Sequence, residues 1–578
     1  MPNTATNFQA IESRFKQFVL ADADTSMGLG DTSFLDSLGD PSLEHLNDNT
    51  AQAKALLASI ETCTAEGFAQ QLDLDLITRY LKQQVFFAEL EQDGQPQRCR
   101  QPSGVDGISE GIFQLFVNDD RSAEARLDNI LSRLQQAPAY LQTEADVITQ
   151  PIQRWRDVEV EQGEGLPDLF ATIFNWAKET DYPQLSELEQ AISACNSALS
   201  LYLDDLKTRE CLTDFNIGEE KVIELLALRN IKQSPAELIQ MARDFIANTQ
   251  TLLTGLNKRL CKKYELDAAT SNENLHEYLN EKFAAKIKEG QLSSVLDYYS
   301  EQIQSINDFI EQRHLFAIPA QQEIRLLQTP SFLEPVIPAG AMWPPLALRP
   351  GKKTSLVYLT LKEDQLAEHT ELGIPVMMIH EGIPGHHLQF ATAAQHPSFI
   401  RRIFSANEHA EGWTTMLEDY MLDVGYISED LVDEVRFIAK REMSRLVARV
   451  GIDLYFMTGE RDYLDVGLDL GFKTPDGKDS GYSDDVFDNA AKLLKTATGF
   501  TDGRVQAELN WYSSEQSYPL SYLTGNRLVW QLKQDIQAAN KKDLGSLALD
   551  QAFHKVYLES GCMPVENLRS VFEHEGFL

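Results

Sequence analysis

Ile374-Pro375-Val376-Met377-Met378-Ile379-His380-Glu381-Gly382-Ile383-Pro384-Gly385-His386-His387-Leu388-Gln389 sets one carboxylate and three imidazoles directly behind an apolar run. His369, His396 and His409 flank it, so six of the eleven histidines lie between residues 369 and 409. Crowding of this kind points to a metal. A catalytic zinc wants three protein ligands and an open position, and a helix supplies two imidazoles on one face when they stand four residues apart. Here the spacing differs. On a regular helix His380 and His386 would point about 120° apart, and His387 would lie about 10 Å along the axis from His380. Pro384 removes the N–H that would bond the His380 carbonyl, and Gly382 and Gly385 allow the chain to loop out. A bulge over Gly382 to Gly385 would return His386 to His380, with His387 as the alternative ligand. Glu381 is placed as general base toward a metal-activated water. The third ligand is sought in Asn407-Glu408-His409-Ala410-Glu411-Gly412-Trp413, with Glu411 preferred and Glu408 and His409 as competitors.

Working outward, the chain before residue 320 reads as successive helices. Ile11, Phe15, Phe18 and Val19 share one helical face, as do Leu72, Leu76, Ile77 and Leu81. Helices are expected near 122–160, 184–208, 234–264 and 292–313, with breaks at Gly163-Gly165, Asp181-Tyr182-Pro183 and Ser234-Pro235. Between Pro319 and Gly351 prolines at 319, 330, 335, 338, 344, 345 and 350 predict extended, irregular chain. Thr354 to Leu361 then reads as a strand. Its edge would suit a backbone cradle for a peptide. Helices resume near 371–394, 409–424, 428–457, 484–499, 503–512, 519–538, 545–558 and 564–575, and Asp476 to Asp485 reads as a solvated loop. The expected class is mainly α: a large multi-helical architecture with a small β element before the metal-binding helix. A boundary near residue 320 divides an N-terminal helical half (1–320) from a metal-site half (321–578), the two packed as one two-lobed unit around a cleft.

Composition narrows the function. With 88 acidic against 51 basic residues the chain carries a net charge of -37, which argues against nucleic acid or an anionic bilayer as partner. No uninterrupted apolar stretch is long enough to span a membrane, so the chain reads as a cytoplasmic protein by default, or a periplasmic or exported one after signal removal. The six cysteines form no CxxC pair and read as packed thiols.

Hydrogen-bond donors for a developing oxyanion are sought in Tyr518 and Tyr522, four residues apart, with Arg527 nearby. Arg445 and Arg449 form a basic stripe that could clamp a substrate carboxylate.

His380 to Gln389, Glu411-Gly412-Trp413, Arg445-Leu446-Val447, Tyr518 to Gly525 and Gly561-Cys562-Met563-Pro564 together resemble the bacterial domain-of-unknown-function family 885, whose signature is His-Glu-x-x-Pro-Gly-His-His-x-Gln. The resemblance covers roughly residues 335 to 575. It implies a mostly helical fold similar to gluzincin-type zinc peptidases, with His380, His386 and Glu411 as ligands and Glu381 as base. The chain departs from the pattern in two segments: an acid becomes Arg449 and a histidine becomes Asp453, and the usual Pro-Gly-Gln-Ala near the tyrosines is replaced by Tyr518-Pro519-Leu520-Ser521.

The expected function is zinc-dependent hydrolysis of short peptides, with one zinc per chain. The alternatives are a non-catalytic helical binding protein with a vestigial metal site, or a zinc amidase or esterase on non-peptide substrates.

Overall fold

The computed structural model describes residues 7–92, 94–288, 290–329, 337, 340–362, 369–473 and 478–578. Pro330, Pro335, Pro338, Asp476 and Gly477, used in the reading above, lie outside the described residues. The first half runs through α1 (Phe8–Ala21), α2 (Ala23–Gly28), α3 (Leu43–Ile60) and α4 (Gly67–Ala88) to a short hairpin, β1 (Glu91–Gln92) and β2 (Gln95–Pro96). It continues with α5 (Gly104–Val117), α6 (Ala123–Val147), α7 (Gln153–Glu179), α8 (Leu185–Thr208), α9 (Glu219–Leu228), α10 (Pro235–Lys263), α11 (Asn272–Lys282) and α12 (Val295–Arg313). Strands β3 (Gln322–Gln328), β4 (Gly340–Trp343) and β5 (Lys353–Leu359) follow, then α13 (Gly373–Glu381), α14 (His386–Ala393), α15 (Phe399–Ile403), α16 (Asn407–Asp423) and α17 (Val432–Thr458). The chain closes with α18 (Val486–Thr498), α19 (Asp502–Ser514), α20 (Ser521–Ala539), α21 (Ser546–Glu559) and α22 (Val565–His574). The fold is mainly α.

Local chemistry accounts for many boundaries. Ser234 caps α10 in a capping box with Glu237, and Pro235 sits at the first helical position, where its missing N–H costs nothing. Asp181 to Pro183 separates α7 from α8. Two expectations fail. The helix expected over 122–160 is interrupted after Val147, where Pro151 precedes the start of α7. The break expected at Gly163-Gly165 is absent, because α7 runs through it. A Cβ on Gly163 would come within 2.7 Å of the Leu203 side chain, so that glycine admits α8 rather than ending α7.

Part of the proline-rich stretch is ordered sheet. β5 lies between β3, which is parallel to it (Gln322 opposite Lys353), and β4, which is antiparallel (Trp343 opposite Leu356). The backbone cradle expected at this strand is therefore corrected: both edges of β5 are already paired, and among the described residues the outer strands of the sheet are β3 and β4.

The largest core draws on both sides of residue 320, packing Phe15, Leu76 and Ile77 with Trp413, Val529 and Phe553. A second surrounds α17 with α9, α10 and α18, and a third lies among α5 to α8. All six cysteines are free thiols. Among the described residues no helix is long and apolar enough to cross a membrane.

Glycine brings α16 and α20 into contact. A Cβ on Gly525 would lie 2.2 Å from the Glu408 carbonyl oxygen, and one on Gly412 would lie 2.5 Å from the Gly525 backbone. Gly525→Ala should therefore lower stability by about 1–3 kcal/mol or more. Gly503→Ala, where a Cβ meets nothing within 4 Å, should stay within about 0.5 kcal/mol of the parent. Urea unfolding of the two variants checks the difference, and equal midpoints would contradict the packing account.

Candidate metal centre

The signature is built on two helices rather than one kinked helix. α13 ends at Glu381, and α14 begins at His386. Between them the chain folds back so closely that a Cβ on Gly385 would lie 1.9 Å from the His380 carbonyl oxygen. Only glycine fits there. The Ile383-Pro384 peptide bond is cis, and the buried Trp413 indole N–H of α16 donates to the Pro384 carbonyl at 2.9 Å. The turn brings the His380 and His386 rings to 4.9 Å between centroids, nearly perpendicular.

Glu411, 2% exposed, reaches in from α16. Its Oε2 stands 3.6 Å from His380 Nε2 and 3.4 Å from His386 Nε2. That oxygen is buried without a partner of hydrogen-bonding geometry. Two imidazole nitrogens thus face one buried carboxylate oxygen, an arrangement that suits a shared cation. Ligand atoms of His380, Glu381 and His386 also lie within 4.8 Å of one another. The other Glu411 oxygen accepts the Tyr518 hydroxyl at 2.8 Å, and His380 Nδ1 is held by Glu418 Oε1 at 2.8 Å. Such a carboxylate behind an imidazole fixes its tautomer and orientation.

Electrostatics follow the geometry. Burial works against the His380 imidazolium, but the Glu411 and Glu418 carboxylates outweigh it and lift His380 to about 10. Burial would raise the Glu411 carboxyl, yet His386 and His380 hold it well below the carboxylate range. Burial and the Glu411 charge push both the Tyr518 and Tyr522 phenols upward, so both remain neutral donors.

His387 is not with this group. Its ring nitrogens are hydrogen-bonded to Ser355 Oγ of β5 and Gln322 Oε1 of β3, 2.7 Å each, tying α14 to the sheet. Burial lowers it to about 4. The competitors for the third ligand face elsewhere: Glu408 pairs with Arg229 at 2.5 Å, and His409 Nδ1 meets the Met563 carbonyl at 2.9 Å. His369 bonds Tyr299 and the Thr360 carbonyl, and His396 accepts the Ser398 N–H. Gly412 admits α20 and Trp413 anchors the turn.

The arginines divide. Arg449 is buried, donating to Glu508 Oε2 at 3.0 Å and to the Tyr512 hydroxyl at 2.8 Å, with its guanidinium 4.2 Å from the centre of the Tyr522 ring. It packs on the Tyr522 ring, whose centre lies 5.9 Å from that of Tyr518. Arg445 lies one turn earlier, 3.5 Å from Glu442. Arg527 stands five residues beyond Tyr522, about 140° around α20. It lines a groove with Lys440, Gln240 and Asn248 that contains none of the site residues, so it is not brought to the site.

Three residues at or behind the site escaped the sequence reading. Glu418 follows Glu411 by two helical turns on the same face, a signal present in the spacing. Asp453, seen only as a departure, and Arg229, from the end of α9, bond the chain around Tyr518 across 64 and 288 residues. No local pattern marks either.

The bacterial proteins of unknown function grouped as DUF885 provide a family model that matches residues 22–571. The chain belongs to this family. Two solved structures share the fold across the whole chain. One is a "putative lipoprotein of unknown function" from Shewanella oneidensis, 17% identical, covering 98% of this chain and 100% of its own, with a TM-score of 0.72. The other, the "putative lipoprotein from Colwellia psychrerythraea", is 15% identical, covers 98% and 99%, and has a TM-score of 0.75. No curated protein matches. The match extends the family well beyond the segments that carried the resemblance, into the first helical half.

The buried Arg449–Glu508 pair has a testable pH signature. Burial alone would raise Glu508, but Arg449, followed by Arg445, Arg504 and the Tyr512 hydroxyl, brings it down to about 2 from an ordinary 4.5. A depressed carboxyl stabilises the fold fully above its unfolded value and loses that contribution as pH falls toward the folded value. Glu508→Gln should therefore cost about 3–5 kcal/mol at pH 7 by stranding a buried guanidinium, and the gap from wild type should shrink below pH 4.5. Urea unfolding across pH checks this, and a gap independent of pH would contradict it.

Proposed function

We propose that the chain is a zinc-dependent hydrolase, a metallopeptidase that cleaves short peptides, on a zincin-like helical architecture. The observation that carries this reading is the convergence of His380 Nε2 and His386 Nε2 on the buried Glu411 Oε2. His380, His386 and Glu411 would hold one zinc ion per chain, a nitrogen and oxygen donor set of the catalytic kind. Zinc bound there supplies Lewis acidity and lowers the pKa of water to roughly 7.

The remaining chemistry falls to the chain itself. Glu381 adjoins the first ligand and shares its cluster, so it is the group to take a proton from the attacking water and return it to the leaving amine nitrogen. Tyr522 and Tyr518 offer O–H donors to the oxygen on which negative charge develops. Tyr518 already donates to Glu411, which favours Tyr522 for that task. Glu418 keeps the His380 ring in place. Arg445, on the same stripe as Arg449 and paired only loosely with Glu442 at 3.5 Å, is the cation proposed for a substrate carboxylate. The lipoprotein names of the two similar structures favour the exported alternative over a cytoplasmic location.

Metal analysis of zinc-loaded, desalted protein, with mass spectrometry of a peptide mixture, tests the assignment. Wild type, Glu381→Gln and His387→Ala should each retain about one zinc per chain, whereas Glu411→Ala should retain little. Peptide hydrolysis should stop on chelation and fall at least about 10²-fold in Glu381→Gln. Metal-free wild type would overturn the zinc site. Unimpaired turnover by Glu381→Gln would overturn the base.

A further inference from the structure

Tyr518 sits in the turn between α19 and α20, and buried polar side chains grip that turn on both sides. Ser517 adopts φ +68°, a left-handed conformation uncommon for serine, so the turn needs outside support. From α17 the fully buried Asp453 carboxylate accepts the Ser517 N–H at 3.0 Å and the Leu520 N–H at 2.9 Å. From the end of α9 Arg229, 7% exposed, donates to the Ser517 carbonyl and, at 2.6 Å, to Ser521 Oγ. The same guanidinium pairs with Glu408, one turn before Glu411 on α16. The Tyr518 side chain alone leaves this grip for the site, ending on Glu411 Oε1.

Burying a carboxylate and a guanidinium around one short turn is an expensive way to stabilise a loop, and apolar packing often does as well. The expense makes sense if position matters. We infer that Asp453 and Arg229 are positioning residues: they fix the Tyr518 phenol on one Glu411 oxygen, which commits the other to His380 and His386. Neither touches the metal position or a substrate. The chain's departure at Asp453 then supplies a function of its own, a double acceptor for the turn. The inference rests on the metal reading above.

Zinc affinity of the metal-free protein, measured by competition with a chromophoric chelator, tests it in wild type, Asp453→Asn, Tyr518→Phe and the double variant. Outer partners of metal ligands typically contribute 10–100-fold in affinity. Asp453→Asn and Tyr518→Phe should each weaken zinc binding about tenfold, and the double variant should be no weaker than Tyr518→Phe alone. Arg229→Lys, which keeps the charge beside Glu408 but loses the forked grip, should weaken zinc in the same way and serves if Asp453→Asn does not fold. A purely structural role would lower unfolding midpoints and leave the zinc affinity of folded protein unchanged, which would overturn the inference. So would losses that multiply in the double variant. If wild type itself takes up no zinc, the metal reading fails and the positioning role goes with it, an outcome distinct from tight zinc binding that these variants do not disturb.

Discussion

A buried carboxylate, Glu411, is the constraint on which the rest of the site depends. An ionised group removed from water costs several kcal/mol unless charge and hydrogen bonds replace its hydration. Here two imidazoles stand before one oxygen and a phenol bonds the other. Each partner arrives on a different element, so three packing solutions must hold together. The Gly385 fold-back delivers His386 beside His380, the glycine contact of α16 with α20 sets Glu411 near the tyrosines, and Trp413 locks the intervening turn. Around them stand further buried polar groups: Glu418 on His380, Arg449 with Glu508 beside Tyr522, and Asp453 with Arg229 around the Tyr518 turn.

This layered arrangement explains why the site is not confined to the half that carries the signature. Arg229 caps the end of α9, among the early helices, yet it bonds both the Tyr518 turn and α16. Cores shared across residue 320 make the same point in apolar terms. The early helices are part of the machinery that shapes the site.

Much of this was legible from residues alone where the determinants are local. Helical periodicity marked most helices, Ser234-Pro235 marked a helix start, and Gly382, Pro384 and Gly385 marked a loop that returns His386 to His380. Local reasoning misled where one residue type serves two purposes. Gly163 looked like a helix breaker but provides room for Leu203, and β3 and β4 were concealed because the prolines around them made the whole stretch read as irregular chain. His387 could not be separated from His386 by spacing alone; its bonds to Ser355 and Gln322 decide it, and the sheet that supplies both was only partly visible. Asp453, Arg229 and the placement of Arg527 depend on tertiary contacts across dozens to hundreds of residues, for which the sequence holds no local signal.

The central claim is that His380, His386 and Glu411 form one metal site. Anomalous diffraction at the zinc edge from crystals of zinc-loaded protein tests it most directly. The account predicts one strong peak per chain, about 2.0–2.2 Å from His380 Nε2, His386 Nε2 and Glu411 Oε2. A loaded crystal with no peak there, or with its peak on His387 or on surface carboxylates alone, would contradict it.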